Sequence, residues 1–292
     1  MIVVPVLKTH TRKTKKPVAV VVPLSNRKEL IPEEQISLTH LEHYLGRYDK
    51  YMVAPKSLEL DYPGFAVKRF SDSYFGSVKA HSRLMLSPGF YEEFSDYKYI
   101  LTYHLDALVF SDQLSEWCET DLDFIGAPRL ANSDRPHVVG NGGFALRKVE
   151  SFLKVLYSTE YAVDPDVYWE RFCAGMPAYL QYLNLPRKYL KRSKFFNSIR
   201  RDINLCLQAD AHHEDIFISE NAVKYYPEFK IAPLEVALRF AFDEVPRVCF
   251  EMNNYRLPFG CHGWYKSDRE FWEPYLLKEE ILSPDRTRTV RR

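Results

Sequence analysis

Pro17-Val-Ala-Val-Val-Val-Pro-Leu24 is a nearly unbroken apolar run built on valine. Apolar residues at both odd and even positions suit a strand covered on both faces, as strands of parallel sheets are. Ser25-Asn26 ends the run in turn chemistry. Outward from it, residues 35–45 place Ile36, Leu38, Leu41, Tyr44 and Leu45 on one helical stripe. Residues 51–54 and 65–69 read as further strands, and 78–86 and 88–94 as helices. Tyr99-Ile-Leu-Thr-Tyr103 reads as a buried strand that ends at His104-Leu-Asp106, and 123–127 as another short one. This alternation over the first 130 residues predicts an α/β fold with a doubly wound, mostly parallel twisted sheet flanked by helices. Crossovers are expected to be right-handed, with ligands beyond the carboxyl ends of the strands. Ser25, Asn26, His104 and Asp106 fall at those ends.

The remainder is read as part of one domain spanning 1–292. Residues 157–204 mix aromatics, basic side chains, Pro165, Pro177 and Pro186, which predicts a helical insertion or lid. A short helix is expected at 214–220, strands at 236–242 and 248–250, a loop at 258–264, and a basic tail over 275–292. With 292 residues, 46% hydrophobic and 27% charged, the chain can bury a sizeable core and does not read as disordered. The net charge of +1 gives no footprint for nucleic acid. Local basic runs at 8–16, 187–201 and 286–292 suggest contact with an anionic acceptor or a membrane surface. The five cysteines are odd in number and lack CxxC spacing, which argues against a disulfide framework or structural zinc. No signal peptide and no run of about twenty apolar residues is visible. The expected location is therefore cytoplasmic.

Four short motifs carry chemistry. In Tyr103-His-Leu-Asp-Ala107, residues i and i+2 of a strand share a side, so His104 and Asp106 face one ligand while Leu105 points inward. A carboxylate beside an imidazole can hold a divalent metal, which would neutralise a diphosphate. Gly140-Asn-Gly-Gly-Phe-Ala-Leu-Arg147 permits close backbone approach, yet it is neither a dinucleotide fingerprint nor a Walker loop. Glu214-Asp-Ile-Phe217 puts two acids in the first turn of a helix, where the dipole keeps a carboxylate ionised. Phe259-Gly-Cys-His-Gly263 sets His262 in a loop among small residues, beside Trp264. Taken singly, each has a bland reading as a cap, a turn or a surface polar group.

In this order, over 17–264, the motifs resemble those of GT-A glycosyltransferases, whose sheet is Rossmann-like. The likeness is nearest to an uncharacterised bacterial family associated with surface-polysaccharide synthesis, with QLDA-like, GNGGF, EDxF and FGxHG motifs. The resemblance implies a nucleotide-sugar donor, with a uridine diphosphate hexose as the class, and a glycan or lipid-linked glycan as acceptor. It implies donor contacts from Pro23, Leu24, Ser25 and Asn26 to base and ribose, and from Asp106 to ribose or metal. Asn141, Gly142 and Gly143 would border the donor sugar, and Lys79 and Arg83 would reach the diphosphate. Asp215 would be the base of an inverting reaction, with Glu214 positioning the acceptor hydroxyl.

The usual motif carries an acid where this chain has His104. Two readings follow. Either His104, Asp106 and His262 hold manganese or magnesium, or His104 hydrogen-bonds the donor without a metal. Other classes are a nucleotidyltransferase, for which no G-x-G-T-R-like opening follows the first strand, and a non-catalytic carbohydrate-binding module.

Overall fold

Valines that alternate between two faces of one strand need cover on both sides, and the architecture supplies it. The computed structural model describes residues 14–25, 27, 29–130, 138–158, 170, 173, 176–191, 203 and 213–277. Strand β1 (Lys16–Pro23) lies inside a six-stranded sheet with β2 (Asp49–Pro55), β3 (Ala66–Phe70), β4 (Tyr97–Tyr103), β6 (Phe124–Gly126) and β9 (Phe144–Lys148). The order is β3-β2-β1-β4-β9-β6. The first four strands pair in parallel, whereas β9 runs antiparallel to both neighbours. The expected mixed α/β fold with a mostly parallel sheet is what forms.

Val18, Val20 and Val22 join Tyr99, Leu101 and Tyr103 on one face, under Leu38, Leu41 and Leu45 of helix α1 (Pro32–Leu45). Ala19, Val21 and Ile100 line the other, against Phe90 and Tyr91 of α3 (Pro88–Glu92) and Val149 and Phe152 of α5 (Val149–Leu156). Burying each of these larger side chains contributes about 1.5–3 kcal/mol. Helix α1 starts sharply because Pro32 fits its first turn and Glu34 Oε2 accepts from the Ile31 N–H at 3.1 Å. Between β3 and α3 lies α2 (Val78–Met85), whose N-cap Ser77 Oγ accepts from the Ala80 N–H.

A second, three-stranded sheet runs β10-β11-β5, with β5 (Leu108–Val109), β10 (Ala241–Phe242) and β11 (Gly260–Cys261). A third pairing joins β7 (Pro128–Arg129) to β8 (Val138–Val139). The other helices are α4 (Leu114–Glu119), α6 (Ala178–Lys191), α7 (Glu214–Tyr225), α8 (Leu234–Phe240), α9 (Pro246–Met252), α10 (Trp264–Ser267) and α11 (Arg269–Trp272). Two expectations need correction here. The apolar stretch expected as a strand over 236–242 is mostly α8, with only its last two residues in β10, and 248–250 lies inside α9. Short apolar runs do not distinguish strand from buried helix. Pro233 at the N-cap of α8 and Pro246 at the start of α9 favour helix initiation.

Asn26, His212, most of the 157–204 segment, the basic run at 8–16 up to residue 13 and the tail beyond 277 lie outside the described residues. Among the described residues, Cys118, Cys249 and Cys261 are free and buried, Cys173 is buried, and no helix is long and apolar enough to cross a membrane.

Gly260 fits β11 between its neighbours with no room to spare. A methyl group there would run into the Phe144 ring and lie 2.7 Å from the Leu108 carbonyl oxygen. Gly260→Ala is expected to cost about 1–3 kcal/mol through overpacking. Thermal unfolding should fall by about 2–4 °C for each of those kcal/mol. An unchanged melting temperature would contradict this packing.

Candidate active site

A cavity of about 740 Å³ opens beyond the carboxyl ends of β1 and β4. Pro23, Leu24 and Ser25 reach it from β1, and His104 and Asp106 from the end of β4. Asn141, Gly142 and Gly143 form the entry to β9, Glu214 and Asp215 begin α7, and His262 follows β11. These sequence-selected residues therefore meet at one place. Lys79 and Arg83 do not. Both are exposed on α2, outside the cavity lining, while Ser77, Val78 and His81 of the same segment line it. Helical spacing turns 79 and 83 to a different face from 78 and 81.

His104 and Asp106 share a side for a reason other than strand alternation. β4 stops at Tyr103, and a turn follows in which the Ala107 N–H donates to the His104 carbonyl at 2.9 Å. The His104 N–H donates to the Gly143 carbonyl at 2.8 Å, which locks this turn to the glycine motif. Leu105 is buried, as expected.

His262 bridges two carboxylates: its Nε2 lies 3.2 Å from Asp106 Oδ1 and its Nδ1 lies 3.0 Å from Asp243 Oδ1. Burial alone would lower the pKa of this imidazole. Its hydrogen bonds to Asp106 and Asp243 and their charges push it up to about 10 instead. Asp106 is also pulled upward by burial, but His262, His104 and the 2.7 Å bond from Lys266 Nζ hold it far below the usual carboxylate range. His104 behaves oppositely. Burial, with His81 and His262 as neighbours, pushes it down to about 3, so its ring is neutral. Its Nε2 is buried and has no hydrogen-bond partner among the described residues. His104, Asp106 and His262 offer three ligand atoms within 4.8 Å of one another.

The second acidic pair is equally engaged. Arg147 on β9 is fully buried, and its Nη2 donates to Glu214 Oε1 at 3.1 Å and to the Gly142 carbonyl at 3.3 Å. Its Nη1 donates to the Tyr91 hydroxyl at 3.1 Å. Burial works to raise the pKa of Glu214, but Arg147, His81 and His104 more than offset it and keep the group ionised. Asp215 accepts from Arg129 Nη2 at 2.5 Å, from the Gly142 N–H at 3.0 Å and from the Ile216 N–H at 2.7 Å. Burial and the neighbouring Glu214 charge nevertheless hold Asp215 above the usual aspartate range, against the pull of Arg129.

The glycine motif serves these side chains directly. A methyl group on Gly143 would run into the His262 ring, and one on Gly142 into the Glu214 carboxylate and the Arg147 guanidinium. Both glycines border the cavity, but the space beside them is filled by protein. Asn141 Nδ2 donates to Asp243 Oδ2 at 2.7 Å, while its Oδ1 accepts from the Gly143 N–H at 2.8 Å. Asn141 thus braces the carboxylate that braces His262. Four residues that complete the site, Asp243, Arg129, Lys266 and His81, went unselected in the sequence. Asp243 follows an apolar run directly, as Asp106 follows β4, and that pattern was the available signal.

The chain belongs to the family DUF5672, described as proteins of unknown function, whose model matches residues 64–262. No curated protein matches it. Several solved structures are similar in layout. The galactosyltransferase LgtC, in complex with donor and acceptor sugar analogs, is 12% identical with a TM-score of 0.46, over 84% of this chain and 86% of that one. Glycosyltransferase GlyE of Streptococcus pneumoniae TIGR4 is 12% identical with a TM-score of 0.44, over 92% of this chain. The match spans 62% of the GlyE chain. A glycosyltransferase involved in glycosylation of the major capsid of PBCV-1 is 9% identical with a TM-score of 0.43, over 84% and 92% of the two chains.

The buried Arg147–Glu214 pair makes a stability prediction. Arg147→Met leaves the Glu214 charge unpaired inside the wall and is expected to cost about 3–5 kcal/mol in urea unfolding. Adding Glu214→Gln should recover much of that loss. Equal destabilisation in the single and double variants would show that the two charges are not coupled.

Proposed function

We propose that this protein transfers a glycosyl group from a nucleotide-sugar donor, of the uridine diphosphate hexose class, to a hydroxyl of a glycan or lipid-linked glycan. The observation that carries this reading is the convergence of His104, Asp106 and His262 at a cavity bordered by the end of β1. A partnerless buried nitrogen on His104 beside an ionised carboxylate is what a divalent cation would satisfy. Two imidazoles with one carboxylate suit manganese better than magnesium, which prefers oxygen ligands. His104, Asp106 and His262 would hold such a cation, which would supply charge neutralisation for the departing donor diphosphate.

The chain's own residues supply the rest. Pro23, Leu24 and Ser25 border the space for base and ribose, and the adjoining Asn26 belongs to the same expected stretch. Lys266, whose side chain is 61% exposed, and Arg129 replace Lys79 and Arg83 as the cations within reach of the phosphates. Asp215 takes the acceptor proton, and its raised pKa makes it a stronger base than an exposed aspartate. Arg129 and the Gly142 N–H fix its orientation. Glu214, held by Arg147, fixes the start of α7. Attack by the activated hydroxyl opposite the departing diphosphate inverts the anomeric centre. The proposed setting is polysaccharide synthesis at the cytoplasmic side, with the basic runs at a membrane or anionic acceptor.

Chelation should abolish hydrolysis and transfer of the nucleotide sugar, and manganese should restore them more fully than magnesium. His262→Ala should lose manganese affinity in calorimetric titration. Full activity after chelation would favour His104 as a direct donor contact without metal. Turnover of a sugar 1-phosphate with a nucleoside triphosphate would instead identify a nucleotidyltransferase, and no turnover at all a binding module.

Asp215→Asn is expected to lower kcat by about 10²–10⁴-fold with donor affinity nearly intact. In the unsubstituted enzyme, kcat should rise with pH through a group above the ~3.9 of an ordinary aspartate, because the base acts only when deprotonated. Retention of most turnover by the variant would remove Asp215 as the base.

A further inference from the structure

Every strand of the small sheet ends in the first cavity on one side and in a second cavity on the other. Asp106 precedes β5 and Phe110 follows it. Arg239, in the last turn of α8, precedes β10 and Asp243 follows it; Phe259 precedes β11 and His262 follows it. The far ends are tied together by the Phe110 N–H to the Phe259 carbonyl and the Phe259 N–H to the Arg239 carbonyl, both at 2.9 Å. At roughly 3.3 Å per strand residue, the two cavities lie about 10 Å apart along β11.

The second cavity has a volume of about 800 Å³ and is lined by aromatic side chains, two arginines and one carboxylate, Glu116, which accepts from Gln113 Nε2 at 3.3 Å. Phe110 and Trp117, both half-buried, contribute aromatic surface, whereas Phe259 is buried; Trp117 is held edge-on to Phe240 at 5.1 Å. Arg239 and Arg256 are exposed at its border, and neither has a carboxylate within ion-pairing distance among the described residues. The turn that presents Arg256 is built at a cost. Asn254 and Tyr255 take φ values of 55° and 57°, left-handed for residues that carry side chains. Asn253 Nδ2 holds the Arg256 carbonyl at 2.9 Å and closes that turn.

We propose that this second cavity binds a pyranose ring carrying an acidic group, such as a uronic acid or phosphorylated sugar unit. An aromatic face covers the C–H side of a sugar ring, and guanidinium groups fork onto carboxylate or phosphate. The side-chain amide of Asn254 lies in the lining for ring hydroxyls, while that of Gln113 is engaged with Ser111 and Glu116. A neutral sugar leaves both guanidinium groups without an anionic partner, although Arg239 Nε still donates to the Glu235 carbonyl at 3.3 Å. The inference does not depend on the transfer reaction, since it concerns residues outside the first cavity.

Calorimetric titration with trigalacturonate, glucose 6-phosphate and maltotriose tests it on the full chain. At least one of the two anionic ligands should bind, and which one does names the acid. Maltotriose should bind more weakly. The double variant Arg239→Ala/Arg256→Ala changes two exposed side chains, so its melting temperature should stay the same. It should weaken the anionic ligand roughly ten- to hundredfold while leaving nucleotide affinity at the first cavity unchanged. Binding of neither anion, equal affinity for maltotriose, affinity undiminished in the double variant, or a parallel loss of nucleotide affinity would each overturn the proposal.

Discussion

The architecture of the first cavity depends on one fully buried guanidinium. Arg147 sits on the antiparallel strand β9, and its fork ties Tyr91 of α3, the Gly142 carbonyl and Glu214 at the start of α7 to one another. A charge in that position is tolerable only because every partner is fixed, and fixing the partners sets where α7 begins. Asp215 is the next residue, and its carboxylate reaches the Gly142 N–H from the same side. The buried cation thus places a pair of acids against a pair of glycines before any ligand arrives.

A second line of bracing runs through the small sheet. Asn141 holds Asp243, Asp243 holds His262, and His262 faces Asp106. Gly143 leaves room for the His262 ring, and its carbonyl accepts from the His104 N–H. The Asn-Gly-Gly sequence therefore does three separate jobs for protein neighbours within three residues. Partners of this kind fix the orientation of the His262 ring.

Much of this was legible in the sequence, and the rest was hidden for identifiable reasons. Val18 to Val22 announced a strand buried on both faces, and the strand-end rule placed His104 and Asp106 correctly even though a turn, not strand alternation, makes them face together. The residues at 141–143, 214–215 and 262 were found as local patterns. Lys79 and Arg83, expected to reach the diphosphate, lie outside the cavity lining, because charge is readable in a sequence but the facing of a short helix is not. Arg129 and Lys266 escape a sequence reading because their significance lies in pairing across more than eighty residues, Arg129 with Asp215 and Lys266 with Asp106, whereas Asp243 at the end of an apolar run left a local signal. The strands expected over 236–242 and 248–250 failed where apolar content outweighed the proline signals ahead of each helix.

The charges of the first cavity constrain what it can receive. Glu214 is matched by Arg147, Asp215 by Arg129, and Asp106 and Asp243 together by Lys266 and a protonated His262. Glu244 adds a further carboxylate to the lining. Among the described residues of the lining no positive charge is left unpaired for a diphosphate, whose burial against this wall would be repelled. Under the proposed function, a divalent cation in place of the His262 proton would add one net positive charge at that spot and would give the neutral His104 nitrogen a partner. The same exchange frees Lys266 from its role as the main counter-charge of Asp106, so that its exposed ammonium can turn to a phosphate. On the proposed function, a cation and a diphosphate would therefore favour each other's binding here, each supplying the charge that the other needs.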